Sequence, residues 1–144
     1  MPYPEQLCAP MRNELTSIGF TELKTAQEVD AAIPNSKGTL LLVMNSVCGC
    51  AAGAARPGVK TALQKSEIKP DHLVTVFAGQ DIDAVAQARK YALPYPPSSP
   101  CMGLFKDGVL VHFIERHHIE GHSSAMIAEN LIAAFEEYCV PVNS

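Results

Sequence analysis

The chain has 144 residues, of which 47% are hydrophobic and 18% are charged, and its net charge is -4 at pH 7. This balance is typical of one folded domain over residues 1–144 and excludes a disordered chain. The 11 lysines and arginines are scattered, so the sequence indicates neither a nucleic-acid interface nor a polybasic membrane patch.

The first half of the chain predicts two helices, a strand and a third helix. Apolar residues recur at helical spacing over residues 7–18, with Pro10 near the helix start. Residues 25–28 (Thr-Ala-Gln-Glu) form a capping box that opens a short second helix. The continuous apolar run 39–44 is typical of a central strand covered on both faces. The alanine-rich stretch 51–64 that follows is typical of a helix.

The second half continues the alternation of strands and helices. Its predicted elements are a strand (72–78), a helix (83–92), a proline-rich loop (93–100), two strands (101–105 and 109–115) and a final helix (124–139). Lys-Asp-Gly at 106–108 is a hairpin turn signal between the last two strands. The order predicts an α/β fold, with a mixed four-stranded sheet flanked by helices on both faces and an extra N-terminal helix.

Two thiols separated by one glycine stand where the apolar strand ends and the next helix begins: Cys48, Gly49 and Cys50. The unpaired N–H groups at a helix start point outward and stabilise negative charge. They lower the pKa of a thiol and make it a nucleophile. The motif therefore indicates thiol chemistry.

The cysteine count and the N-terminus indicate a cytoplasmic protein. Residues 1–5 lack the basic and apolar regions of a signal peptide, and the longest apolar run is far short of a membrane span. Five cysteines are an odd number, which speaks against a structural disulfide framework. In a reducing compartment, a close pair of thiols is catalytic, redox-sensing or metal-binding.

The order of these features resembles the thioredoxin fold. In that fold an apolar strand enters a cysteine motif and a helix, and a cis-proline loop before a hairpin faces the cysteines. Ser99 and Pro100 stand where that loop would be. Thioredoxins carry two residues between the cysteines, whereas this chain carries one.

That difference points to a narrower family. The segments that carry the resemblance are residues 45–53 (NSVCGCAAG), 75–81 (TVFAGQD), 97–100 (PSSP) and 112–122 (HFIERHHIEGH). They are similar to the bacilliredoxins, bacterial thioredoxin-fold proteins with a Cys-Gly-Cys motif, and the likeness covers nearly the whole chain. It implies removal of bacillithiol from mixed disulfides on cytosolic proteins, with disulfide isomerisation as a variant. It also implies bacillithiol as thiol co-substrate and no bound cofactor.

The resemblance and the helix start suggest a role for each site residue. Cys48, nearest the helix start, is the expected nucleophile, and Cys50 resolves or assists. Since Arg56 lies two turns down the helix, we expect the backbone amides to lower the pKa of Cys48, and only modestly. The backbone of Ser99, before Pro100, would hold the substrate chain. Cys101 departs from the family's pattern and adds a third thiol beside the site.

The one-residue spacing constrains a bond between the two thiols. On a regular helix, side chains two residues apart diverge by about 200° around the axis. A disulfide between Cys48 and Cys50 therefore requires non-helical backbone, which Gly49 permits. We expect this bond to be strained and easily reduced.

Metal binding is the alternative function. The two thiolates, Cys101 and a histidine could bind zinc or copper(I), although the spacing is tighter than in common zinc knuckles. Four histidines cluster near the last helix: His112, His117, His118 and His122. Histidines in loops are usually solvated or hydrogen-bonded, and the resemblance implies no role for these four.

Overall fold

The computed structural model describes residues 4–34, 37–47, 49–92 and 100–139, and for residues 49–52 it describes the backbone alone. Its elements are α1 (Glu5–Thr16), β1 (Thr21–Glu22), α2 (Ala26–Ala32), β2 (Thr39–Asn45), α3 (Gly49–Lys65), β3 (His72–Phe77), α4 (Ile82–Tyr91), β4 (Cys101–Lys106), β5 (Val109–Ile114), α5 (Arg116–Ile119) and α6 (Ser124–Tyr138). Within these ranges, no helix combines the length and apolar character needed to cross a membrane.

The strands form one mixed sheet in the order β1-β3-β2-β4-β5. β1, β3 and β2 are parallel, while β4 and β5 run antiparallel to their neighbours. The predicted α/β fold is thus confirmed, with one strand more than the four expected. The extra strand, β1, pairs through only two residues, with Thr21 opposite Val74 and Glu22 opposite Thr75. Two residues are too few for an alternating pattern, so the sequence could not indicate this strand.

Every residue of β2 is buried, as expected of a central strand covered on both faces. Leu41 and Val43 belong to a cluster that α3 and α6 cover. Leu40, Leu42 and Met44 belong to a second cluster, which α2 and α4 cover. The sheet therefore separates two apolar layers, and α3, the helix that follows the thiol motif, lies on the α6 side.

The first helix differs in part from its prediction. It begins at Glu5, so Pro10 is its sixth residue and does not stand near the start. Its buried residues are Cys8, Arg12 and Leu15, whereas Leu7 is 44% exposed. The apolar spacing predicted the buried Leu15 but not Arg12, which is held by carboxylates of other elements.

The last helix buries the face that its spacing predicts, with Ile127, Leu131 and Phe135 in the core. It packs closely on α3 at Gly58, where an added Cβ would lie 2.8 Å from the Cγ2 atom of Ile127. The four-residue helix α5 precedes it and was not predicted, since a single turn shows no periodicity. The contact between α3 and α6 fixes the axis of the helix that begins at the thiol motif.

Candidate functional site

The end of β2, the start of α3 and Pro100 lie near one end of the sheet. Met44 in β2 pairs with Cys101 in β4, so the strand that leads to the motif ends beside the start of β4. Pro100, directly before Cys101, is buried. Helix α3 begins at Gly49, four residues after Asn45 ends β2. The topology thus places Asn45, which ends β2, and Pro100 at the same end of the sheet, as the thioredoxin-like arrangement requires.

Several predicted site residues lie partly or wholly outside the described part of the chain. Cys48 and Ser99 are outside it. Gly49 and Cys50 form the first two residues of α3, so the predicted helix start behind the motif is present. The roles of these residues and the isomer of the bond before Pro100 stay predictions.

Asn45 ties together the elements that surround the motif. Its side chain is buried, and its Nδ2 donates a hydrogen bond to the carbonyl oxygen of Met11 in α1 at 3.0 Å. Its Oδ1 accepts from the backbone N–H of Ser46 at 2.9 Å and from Nη1 of Arg56 at 3.0 Å. Its own carbonyl oxygen accepts from the N–H of Ala78, just past β3. One residue therefore joins α1, α3 and the ends of β2 and β3.

Arg56 lies two turns into α3, and its side chain reaches back to Asn45 and Ser46. Its Nη1 also donates to the carbonyl oxygen of Ser46 at 2.8 Å, and its Nε pairs with Glu14 of α1. The side chain is only 10% exposed. From the sequence, its place two turns down the helix indicated no role at the motif. The signal was its spacing: Arg56 stands seven residues after Gly49, which is two helical turns and therefore the same face.

Cys101 is buried, with 3% of its surface exposed. Its side chain belongs to the cluster that α2 and α4 cover, on the face of the sheet opposite α3, and it contacts the sulfur of Met44. Among the described side chains, no histidine joins it in a group of converging metal ligands. The described residues thus do not assemble the Cys101–histidine part of the alternative metal site.

The two other described thiols, Cys8 and Cys139, are held in their protonated form. Burial raises the pKa of Cys8 above its usual value, and the carboxylate of Glu5 raises it further. Burial also raises the pKa of Cys139, and a hydrogen bond with Thr39 partly offsets this. Both sulfurs are therefore poor nucleophiles near neutral pH.

Three of the four clustered histidines have hydrogen-bond partners. His112 Nε2 lies 3.0 Å from Oδ1 of Asn130. His118 Nδ1 accepts from the backbone N–H of Glu115 at 3.1 Å, and His122 Nδ1 lies 3.3 Å from a carbonyl oxygen. Together with His117, Glu115 and His118 form the one described group of three potential metal ligands, within 4.8 Å of one another. Because Nδ1 of His118 accepts a hydrogen bond, the neutral ring carries its proton on Nε2. Neither nitrogen then offers a free lone pair, which weakens this group as a metal site.

Solved structures share the fold of this chain at low sequence identity. A thioredoxin from Fasciola hepatica matches 83% of this chain and 99% of its own, with a TM-score of 0.57 at 18% identity. Mitochondrial thioredoxin 3 from Saccharomyces cerevisiae matches 86% of this chain and 98% of its own, with a TM-score of 0.57 at 14% identity. The fold is that of thioredoxin, and the Cys-Gly-Cys sequence stands at its strand-to-helix junction.

Sequence relatives define the family within that class. Residues 3–139 match the family described as disulphide isomerase. A protein named bacilliredoxin from Cytophaga hutchinsonii is 59% identical over 135 residues, covering 94% of this chain and 98% of the relative. A bacilliredoxin from Geobacillus kaustophilus is 54% identical over 137 residues, covering 95% and 94%. The chain belongs to the bacilliredoxin family, which confirms the resemblance that its motifs indicated, and it is a thiol–disulfide oxidoreductase.

Proposed function

We propose that this protein removes bacillithiol from mixed disulfides on cytoplasmic proteins and that the Cys-Gly-Cys motif performs the exchange. The names of relatives at 53–59% identity support bacillithiol as the thiol partner. The observation that carries the proposal is the start of α3 at Gly49, directly after Cys48, in a thioredoxin fold. Helix N–H groups at that point favour a thiolate over a thiol.

The first step transfers bacillithiol to the enzyme. The Cys48 thiolate attacks the bacillithiol sulfur of the modified protein, and the sulfur–sulfur bond to that protein breaks. The substrate cysteine leaves as a thiolate and takes a proton from water. The product is a mixed disulfide between Cys48 and bacillithiol, and no net oxidation has taken place.

The second step restores Cys48 with two electrons from a thiol. A second bacillithiol attacks the bound bacillithiol sulfur, which forms bacillithiol disulfide and releases the Cys48 thiolate. In the other route, Cys50 attacks the sulfur of Cys48, releases bacillithiol and leaves a Cys48–Cys50 disulfide for an external dithiol to reduce. The one-residue spacing disfavours that internal bond, so we propose the first route as the main one.

The test follows the loss of bacillithiol from a modified substrate protein by intact mass. Cys48→Ser should abolish the loss, because the attacking sulfur is gone. Cys50→Ser should keep much of the activity when bacillithiol is supplied. The matched control is Cys139→Ser, which removes a half-buried thiol at the C-terminal end of α6 and should leave the rate unchanged.

Two results would contradict the proposal. One is wild-type activity in Cys48→Ser. The other is a wild-type protein that reduces a glutathione mixed disulfide with glutathione as readily as a bacillithiol mixed disulfide with bacillithiol. The second result would keep the exchange chemistry but remove bacillithiol as the preferred partner.

A further inference from the structure

Ser46 stands two residues before the proposed nucleophile, and its carbonyl oxygen accepts a hydrogen bond from the mostly buried side chain of Arg56. Arg56 donates to this oxygen at 2.8 Å and to Oδ1 of Asn45 at 3.0 Å from the same nitrogen. Asn45 and Ser46 are both 2% exposed. Two buried residues and one mostly buried guanidinium therefore meet where β2 leaves the sheet, and water has limited access to their hydrogen bonds.

Residues 45–49, the motif segment, are thus fixed to one helix at both ends. Ser46 is bound to Arg56 of α3, and α3 itself begins at Gly49. Only Val47 and Cys48 lie between these points. Because the guanidinium belongs to the helix that the segment enters, any movement of the segment against the helix would break its hydrogen bonds.

The same side chain brings a positive charge to the site. Two trans peptide units span at most about 7.6 Å between the Cα atoms of Ser46 and Cys48. A nearby cation stabilises a thiolate, and more strongly where water is excluded. Glu14 neutralises part of the charge, but its side chain is half exposed and is screened by solvent.

We propose that Arg56 is a positioning residue for Cys48, which fixes the preceding turn through Ser46 and Asn45 and supplies a charge that favours the thiolate. This inference rests on the proposed function, since it takes Cys48 as the attacking group. Lysine would keep the charge but cannot reproduce the planar fork of donors. Glutamine keeps a donor but removes the charge. The two substitutions therefore separate the charge from the geometry.

The experiment measures the alkylation of Cys48 by iodoacetamide from pH 5 to 10 in a Cys50→Ser background, with the labelled peptide quantified by mass spectrometry. Arg56→Gln should slow alkylation at pH 7 about three- to tenfold and move the profile to higher pH, because the thiolate loses its cation. Arg56→Lys should stay within about twofold of the parent at pH 7, because the charge remains. Glu14→Gln is the matched control and should also stay within about twofold, since it leaves both bonds to the motif segment intact.

A second readout reports geometry. At pH 10, with the thiolate fully formed, transfer from a bacillithiol mixed disulfide should be slower in both Arg56 variants than in the parent. A folded Arg56→Gln protein with the parent's pH profile would overturn the inference. If that variant does not fold, an unchanged transfer rate in Arg56→Lys at pH 10 would overturn it. Alkylation needs no activity toward bacillithiol, so failure of the proposed function would leave the pH profile as an independent result.

Discussion

The sulfur of Cys101 lies 3.8 Å from the thioether sulfur of Met44, inside the apolar layer that α2 and α4 cover. These two residues pair across β2 and β4 at the end of the sheet where the motif segment begins. Cys101, which departs from the family's pattern, therefore lies near the proposed site along the backbone. Its side chain, however, packs in the apolar core.

This packing predicts that Cys101 takes no part in the exchange. Cys101→Ala should keep the exchange rate of the parent and lose about 1 kcal/mol of unfolding free energy, since only a small buried group is removed. In the native protein, Cys101 should react with iodoacetamide far more slowly than in urea. Mass spectrometry of the labelled peptides measures both. Loss of exchange in a folded Cys101→Ala protein would instead assign the third thiol a role.

The contact between α3 and α6 predicts opposite effects at two glycines of one helix. In Gly58→Ala the new Cβ would lie 2.8 Å from Ile127 and 3.2 Å from the carbonyl oxygen of Ser124. The expected loss is about 1–3 kcal/mol of unfolding free energy. At Gly53 an added Cβ meets no described atom within 4 Å, so Gly53→Ala should gain about 0.5–1 kcal/mol through helix propensity. Urea unfolding of both variants measures the difference, and equal effects would contradict the close packing.

Replacement of the buried Arg12 should lower the unfolding free energy much more than replacement of an exposed charged residue. Its Nη1 lies 2.6 Å from Glu22 and 2.8 Å from Asp81, and its guanidinium lies 4.9 Å from the ring centre of Phe77. The hydrogen bond to Asp81 is the main cause of its raised pKa. Arg12→Met should lose about 3–5 kcal/mol, because two carboxylates stay partly buried without their cation.

The control for Arg12→Met is a substitution of Glu5, the third carboxylate that pairs with Arg12. Glu5 lies 3.1 Å from Nε of Arg12 but is mostly exposed. Glu5→Gln should therefore change the unfolding free energy by less than about 1 kcal/mol. Urea unfolding at pH 7 compares the two variants. A similar loss in both would show that burial does not control the energy of this cluster.

The raised pKa of Cys8 should make the protein less stable at alkaline pH. Its pKa is raised in the folded protein, first by burial, so the unfolded chain releases the thiol proton at a lower pH than the native state. The stabilisation is complete below the unfolded pKa of about 8.5 and is lost as pH rises through the folded value. Cys8→Ala should show a smaller fall in unfolding free energy between pH 7 and 10 than the parent. An equal fall in both proteins would contradict the assignment.

The sequence predicted those features that depend on neighbours along the chain. The buried strand, the helix behind the thiols and the hairpin each carry a local pattern, and the structure confirms all three. Arg12 could not be predicted, because Asp81 lies 69 residues away and meets it only in the folded chain. Asp81 precedes α4 at the N-cap, yet its carboxylate bonds to Arg12 and makes no cap hydrogen bond.

The site was predicted in the same uneven way. The motif and its place at a helix start follow from the residues themselves, since thiols and glycine before an alanine-rich stretch form a local signal. Asn45 carries no such signal, and Arg56 carries only its seven-residue spacing from Gly49. Their side chains join the motif segment to α1 and α3 only because β2 and α3 bring them together.

The shortness of β1 has a consequence for contacts between molecules. An edge strand offers its unpaired backbone groups to any other extended chain, and the usual result is edge-to-edge association. β1 presents only Thr21 and Glu22 at this border of the sheet, and Glu22 is charged and bound to Arg12. An incoming strand would find two residues to pair with and a fixed carboxylate beside them, so this border resists intermolecular sheet growth.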